Sequence, residues 1–174
     1  MMKKLLTTFS LALTLCLSLT TVFAAPSINK NGAVKKDSIL INGEKVDANT
    51  TAAFDSKKET YSAAGVSDET IDVIEKVNAN PSQLASLIKG VDLSGYSLLT
   101  EFQDLSVYVN GELKQKVKNV TLTWEVPNLV KTAKNVKVLH YSTERNTWEI
   151  LTPKSVDFDN KTITQEFKDL SPVA

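Results

Sequence analysis

The chain has one histidine, His140, and one cysteine, Cys16. Nucleophilic catalysis of the Ser/His/Asp kind needs a base beside a hydroxyl and a third group to orient that base. His140 is the only candidate base, and no G-x-S-x-G pentapeptide marks a serine for it. Along Val136-Lys137-Val138-Leu139-His140 the ring alternates onto the face of two valines, the setting of a core residue. No second histidine completes a triad or a zinc site. No phosphate loop or dinucleotide fingerprint is present.

Carboxylates are the other catalytic candidates. Asp157 and Asp159 lie two apart and could share one face of a strand, and Glu125 and Glu149 would face solvent on neighbouring strands. A glycosidase needs two carboxylates at a controlled separation, one with a raised pKa. Glu125 and Asp157 are therefore the residues on which a hydrolase reading rests. Asp157, Asp159 and Asn160 also offer the oxygen ligands that calcium takes, although no EF-hand loop is present. Turn chemistry explains Asp159-Asn160 equally well.

Aromatic residues give a non-catalytic route. Trp124, Trp148, Tyr96, Tyr108 and Tyr141 would stack on sugar rings if exposed. Trp124 is in register with Val120, Leu122 and Val126, and Trp148 shares a face with Ile150, so both read as core. Tyr108 and Tyr141 are the expected ligand contacts, because tyrosine offers an apolar body with a polar tip. No metal or cofactor is expected.

The elements that position these residues begin with residues 1–24, which read as an export signal. Lys3-Lys4 precedes a leucine-rich run from Leu5 to Leu19, and Val22-Phe23-Ala24 supplies a small-x-small cleavage site. Cleavage removes Cys16 and leaves 18 basic against 20 acidic residues, with no basic stripe for nucleic acid. No integral membrane span is expected after cleavage. Residues 25–66 read as a flexible leader, broken by a short hairpin around Asn42-Gly43, a pair suited to a type I′ turn.

Residues 67–90 read as a helical hairpin. Ser67 caps the first helix, Val66 and Ile71 have the spacing of a hydrophobic staple, and Ile71, Ile74 and Val77 line its apolar face. Asn80, Pro81 and Gly90 bound the second helix. From Val91 the period changes to two. Leu105-Val107-Val109, then Val120-Leu122-Trp124-Val126, then segments 136–142, 147–151, 156–158 and 161–167 read as strands, with Asn110-Gly111 turning the first hairpin. The expected fold is mainly β, α+β overall. It is an antiparallel Ig-like β-sandwich over residues 91–174, with the helical hairpin on its N-terminal side.

The stretches VTLTWEVPNL, VKVLHYST, WEIL and VDFDNKTITQEFKDLSPVA resemble β-sandwich modules in secreted and wall-attached surface proteins of Gram-positive bacteria. The resemblance covers residues from about 118 to 174. It implies a sandwich fold and a cell-surface or extracellular setting rather than an activity. Many such modules carry an LPxTG motif and an apolar tail. This sequence carries neither, and it stops where their LSPVA strand continues. The expected function is an exported, non-enzymatic surface module, adhesive or structural. Its partners would be wall polymer, glycan or a surface protein. The alternative is a secreted carbohydrate-active hydrolase or its ancillary domain.

Overall fold

The computed structural model describes residues 28–114 and 116–174. The export signal lies outside them. In chain order the described elements are β1 (Leu40–Ile41), β2 (Glu44–Lys45), β3 (Thr50–Asp55), α1 (Lys58–Ala63), α2 (Asp68–Ala79), α3 (Leu84–Leu87), β4 (Gln103–Val109), β5 (Glu112–Lys114), β6 (Lys118–Glu125), β7 (Val138–Ser142), β8 (Thr147–Leu151), β9 (Ser155–Asp157), β10 (Thr162–Asp169) and β11 (Pro172–Val173). They form two antiparallel sheets in the manner of a β-sandwich. The first has the order β2-β1-β6-β10-β9 and the second β3-β4-β11-β7-β8, with β5 also paired to β4.

Alternation builds the layers. On β6, Val120, Leu122 and Trp124 turn inward to meet Leu105 and Val107 of β4, Val138 of β7, and Ile163 and Phe167 of β10. On the opposite face of the second sheet, Phe102, Leu139 and Tyr141 are covered by Ile71, Ile74 and Val77 of α2, by Tyr61 of α1 and by Leu84. The second sheet is thus apolar on both faces, as a middle layer must be. Thr121, on the outer face of β6, is buried between β1 and β10, which pair on either side of it.

The turns follow their residues. Asn42 and Gly43, and Asn110 and Gly111, all have positive φ, as type I′ turns require. In the β9–β10 turn the left-handed residue is Lys161 rather than Asp159 or Asn160. Ser67 caps α2, its Oγ accepting from Thr70 N at 3.3 Å. The second expected helix is shorter than its pattern. It is a 3₁₀ turn over Pro81–Gln83 followed by one helical turn, and it ends at Leu87, before Gly90.

Within residues 25–66, expected as a flexible leader with a short hairpin, the described segment pairs with both sheets. Residues 32–35 bond to β6 through Gly32 N→Glu125 O, Glu125 N→Ala33 O and Lys35 N→Thr123 O. β3 pairs with β4 along its whole length. Polar composition concealed this, because backbone pairing needs few apolar side chains. Gly32 is required by proximity, since a Cβ there would sit 2.6 Å from Glu125 Cβ.

Candidate binding cleft

A cavity of about 220 Å³ opens at one end of the two sheets. Its floor joins both cores. Trp124, Ile163 and Val138 come from between the sheets, and Leu84, Leu139 and Ile150 from beneath the helices. One lip is the segment Tyr96–Thr100 leading toward β4, where Tyr96 is 40% exposed. The other is Ala133–Lys137, leading into β7. Among the described residues no aspartate or glutamate side chain lines the cavity, whereas Lys134, Lys137 and the last residue of the sequence, Ala174, do. Between Glu125 and Glu144 the sequence has three lysines, Lys131, Lys134 and Lys137, and no acid. Lys131 is paired with Asp159 at 2.5 Å, and Lys137 Nζ donates to Thr152 Oγ1 at 2.7 Å.

The cleft wall is held by side-chain amides, one of them Asn31 in the N-terminal strap over residues 28–35. Trp124 Nε1 donates to Asn31 Oδ1 at 2.9 Å, and Asn31 N donates to Gln103 Oε1 at 2.6 Å. Asn128 Nδ2 donates to Leu99 O at 3.0 Å. These bonds hold the lip, the strap and the floor in one geometry.

A second cluster surrounds His140. Ser171 Oγ lies 2.8 Å from His140 Nε2, and His140 Nδ1 lies 3.5 Å from Glu149 Oε2, an ion-pair distance rather than a hydrogen bond. The order Ser–His–Glu is that of a hydrolase triad. However, Ser171 and His140 are buried, and Ser171 Oγ also donates to the Tyr141 carbonyl. With its proton on that carbonyl, the hydroxyl can only accept from Nε2–H, so the ring does not serve it as a base. Burial lowers the His140 pKa, outweighing the raising effects of Asp169 and Glu149. Glu149 and Asp169 are bridged by Arg145 at 2.8 and 3.2 Å, and Asp169 also accepts from Ser142 Oγ at 2.9 Å. This network ties the β10–β11 crossover to β7 and β8.

Asp104, on β4, is the most perturbed carboxylate. Its Oδ2 accepts from Ser106 Oγ at 2.7 Å, while its buried Oδ1 has no hydrogen-bond partner. Burial pushes its pKa up to about 6. The Ser106 bond opposes the shift, and Asp55 across the strand pair adds to it.

The structure separates most residues singled out by sequence. Trp124 is core, as expected. Trp148 is half-buried, edge-on to Phe102 and Tyr141 with centroids 5.2 and 5.0 Å away. Tyr141 is 7% exposed, so it is not the exposed contact expected of it. Its alternation points it under the helices. Tyr108 is half-buried and lies four residues further along β4 than Asp104, the residue level with Tyr141, so the two tyrosines form no common surface.

The carboxylates fare differently. Glu125 and Glu149 belong to different sheets and are not neighbours. Glu125 and Asp157 both sit opposite Thr162, on either side of β10. Both oxygens of Asp157 accept from its own turn, at 2.9 Å from Asn160 N and 2.7 Å from Asn160 Nδ2, and these bonds lower its pKa. Among the described residues, no group of three His, Cys, Asp or Glu side chains is placed to hold a metal.

Asn31, Asp104 and Ser171 carry roles that motif reading missed. The acid-free run of lysines over 131–137 was the available signal for the cleft. Among the described residues, no helix is long and apolar enough to cross a membrane. No family model, curated protein or solved structure matches the chain.

Proposed function

We propose that the protein is an exported, non-enzymatic surface module, related to the β-sandwich modules of Gram-positive surface proteins, that acts by contact. In this reading the sandwich is Ig-like. The helices over 67–90 form a hairpin that shields one face and leaves the end of the sandwich for binding. The observation that carries the reading is the open apolar cleft, set against polar clusters that are buried or consumed by their own turns. Small-molecule sites are concave and mostly apolar, with a few polar groups at the rim. Its partners at the cell surface are wall polymer, glycan or another surface protein. A screen of the purified protein against those three classes, run beside hydrolysis assays, tests the reading. Binding without turnover supports it, and turnover overturns it.

One observation favours the hydrolase alternative. Glu125 and Asp157 occupy the same rung of the first sheet, two strand spacings or roughly 10 Å apart at the backbone. Inverting glycosidases hold their carboxyls at roughly 6.5–9.5 Å. The lowered pKa of Asp157, set by its bonds from Asn160, suits a base rather than an acid. Loss of any measured turnover in Glu125→Gln would establish this alternative.

A further inference from the structure

We propose that the end cleft binds a small apolar molecule carrying one negative charge, an alkyl or aryl carboxylate. The proposal deepens the binding-module reading and rests on it. The cavity of about 220 Å³ has room for a small ligand, since roughly 150 Å³ of apolar space already accommodates benzene. Its floor of Trp124, Ile163, Leu139 and Ile150 is apolar apart from the Trp124 indole N–H, which is already bonded to Asn31, so an apolar body displaces no well-bonded water from these side chains.

The head group is chosen by charge. Lys134 and Lys137 stand on one lip, and no Asp or Glu side chain is among the described lining residues. Ala174, the last residue of this chain, adds one backbone carboxylate, so the two ammonium groups outweigh it and favour an anionic head over a cationic one. Lys137 is already held by Thr152, which orders its ammonium before any ligand arrives. Lys134 is exposed at the lip. The amide of Asn135 lies between them in the chain and donates to a carboxylate as readily as to water. Tyr96, on the facing lip, closes over the apolar body from the other side.

Octanoate is the probe, with octanol and octylamine as its neutral and cationic counterparts, followed by calorimetry and by the fluorescence of Trp124 in the floor. Octanoate is expected to bind most tightly and octylamine most weakly. In Lys134→Gln/Lys137→Gln, octanoate should weaken about tenfold while octanol stays within about twofold, because only the charged head senses the lysines. In Ala133→Phe, a lip residue outside both cores, the ring fills the mouth and both ligands should be lost. Octylamine binding as well as octanoate would overturn the assignment, as would octanoate binding that survives Ala133→Phe. Silence toward octanoate with a hit in the polymer and glycan screen would overturn the ligand class and keep the module reading. Silence in both would overturn the two together.

Discussion

Asp104 is where one side chain has the largest leverage. It lies in the second sheet beside Asp55, and its Oδ1 has no hydrogen-bond partner. Its pKa rises from 3.8 to about 6 on folding, mainly through burial. The folded protein therefore keeps a proton that the unfolded chain has released, and stability falls as pH rises from 3.8 to about 6, then levels off. About two pH units correspond to about 3 kcal/mol. Asp104→Asn removes the ionisation and keeps the shape. Relative to the unchanged protein it should gain about 2 kcal/mol between pH 4 and pH 7, read from urea midpoints at the two values. Parallel profiles would show that Asp104 is not the group that titrates. Ser171 is the opposite case, a polar residue whose bonds are made. Ser171→Ala leaves the Tyr141 carbonyl and His140 Nε2 buried without their partner. The expected loss is about 2–4 kcal/mol in the same urea assay. A loss below about 0.5 kcal/mol, the usual scale of a surface substitution, would mean that the crossover is not held by this network.

Elements with local signatures were legible, and elements held by non-local pairing were not. Ser67, the Val66–Ile71 staple and the spacing of Ile71, Ile74 and Val77 announced α2, because capping and a 3.6 period are written within a dozen residues. The two Asn-Gly hairpins were legible for the same reason. The strap over 28–35 was not. Its place is fixed by backbone bonds to β6 and by Asn31 reaching Trp124, residues about ninety positions away. The close approach of Gly32 to Glu125 gives a test specific to this element. A methyl group at position 32 meets Glu125 Cβ at 2.6 Å, so the strap must move away from β6. Gly32→Ala should cost about 1–3 kcal/mol. It should also speed hydrogen exchange at the amides of Lys35 and Glu125, which bond across that seam. Exchange that stays slow at both would mean that the strap tolerates the methyl group in place.

The cleft was only partly legible, because it belongs to no single element. It exists where β6, β7, β10, the segment before β4 and the helical layer end together, and only the lysine spacing on one lip is local in sequence. The same joint construction bears on how the molecule unfolds. The second sheet serves both cores, with Leu105, Val107 and Val138 on one face and Phe102, Leu139 and Tyr141 on the other. Removing the helices would expose the second set, and separating the sheets would expose the first. Neither core keeps its packing if the middle layer is lost, so the two should melt as one unit. Each core contains its own reporter. Trp124 lies between the sheets, and Trp148 packs on Phe102 and Tyr141 beneath the helices. Trp124→Phe and Trp148→Phe each leave one indole. Urea unfolding followed by the remaining indole and by far-ultraviolet circular dichroism should give coincident curves within each variant. A helical layer that loosens independently would show Trp148 fluorescence changing at lower urea than the dichroism of the sheets.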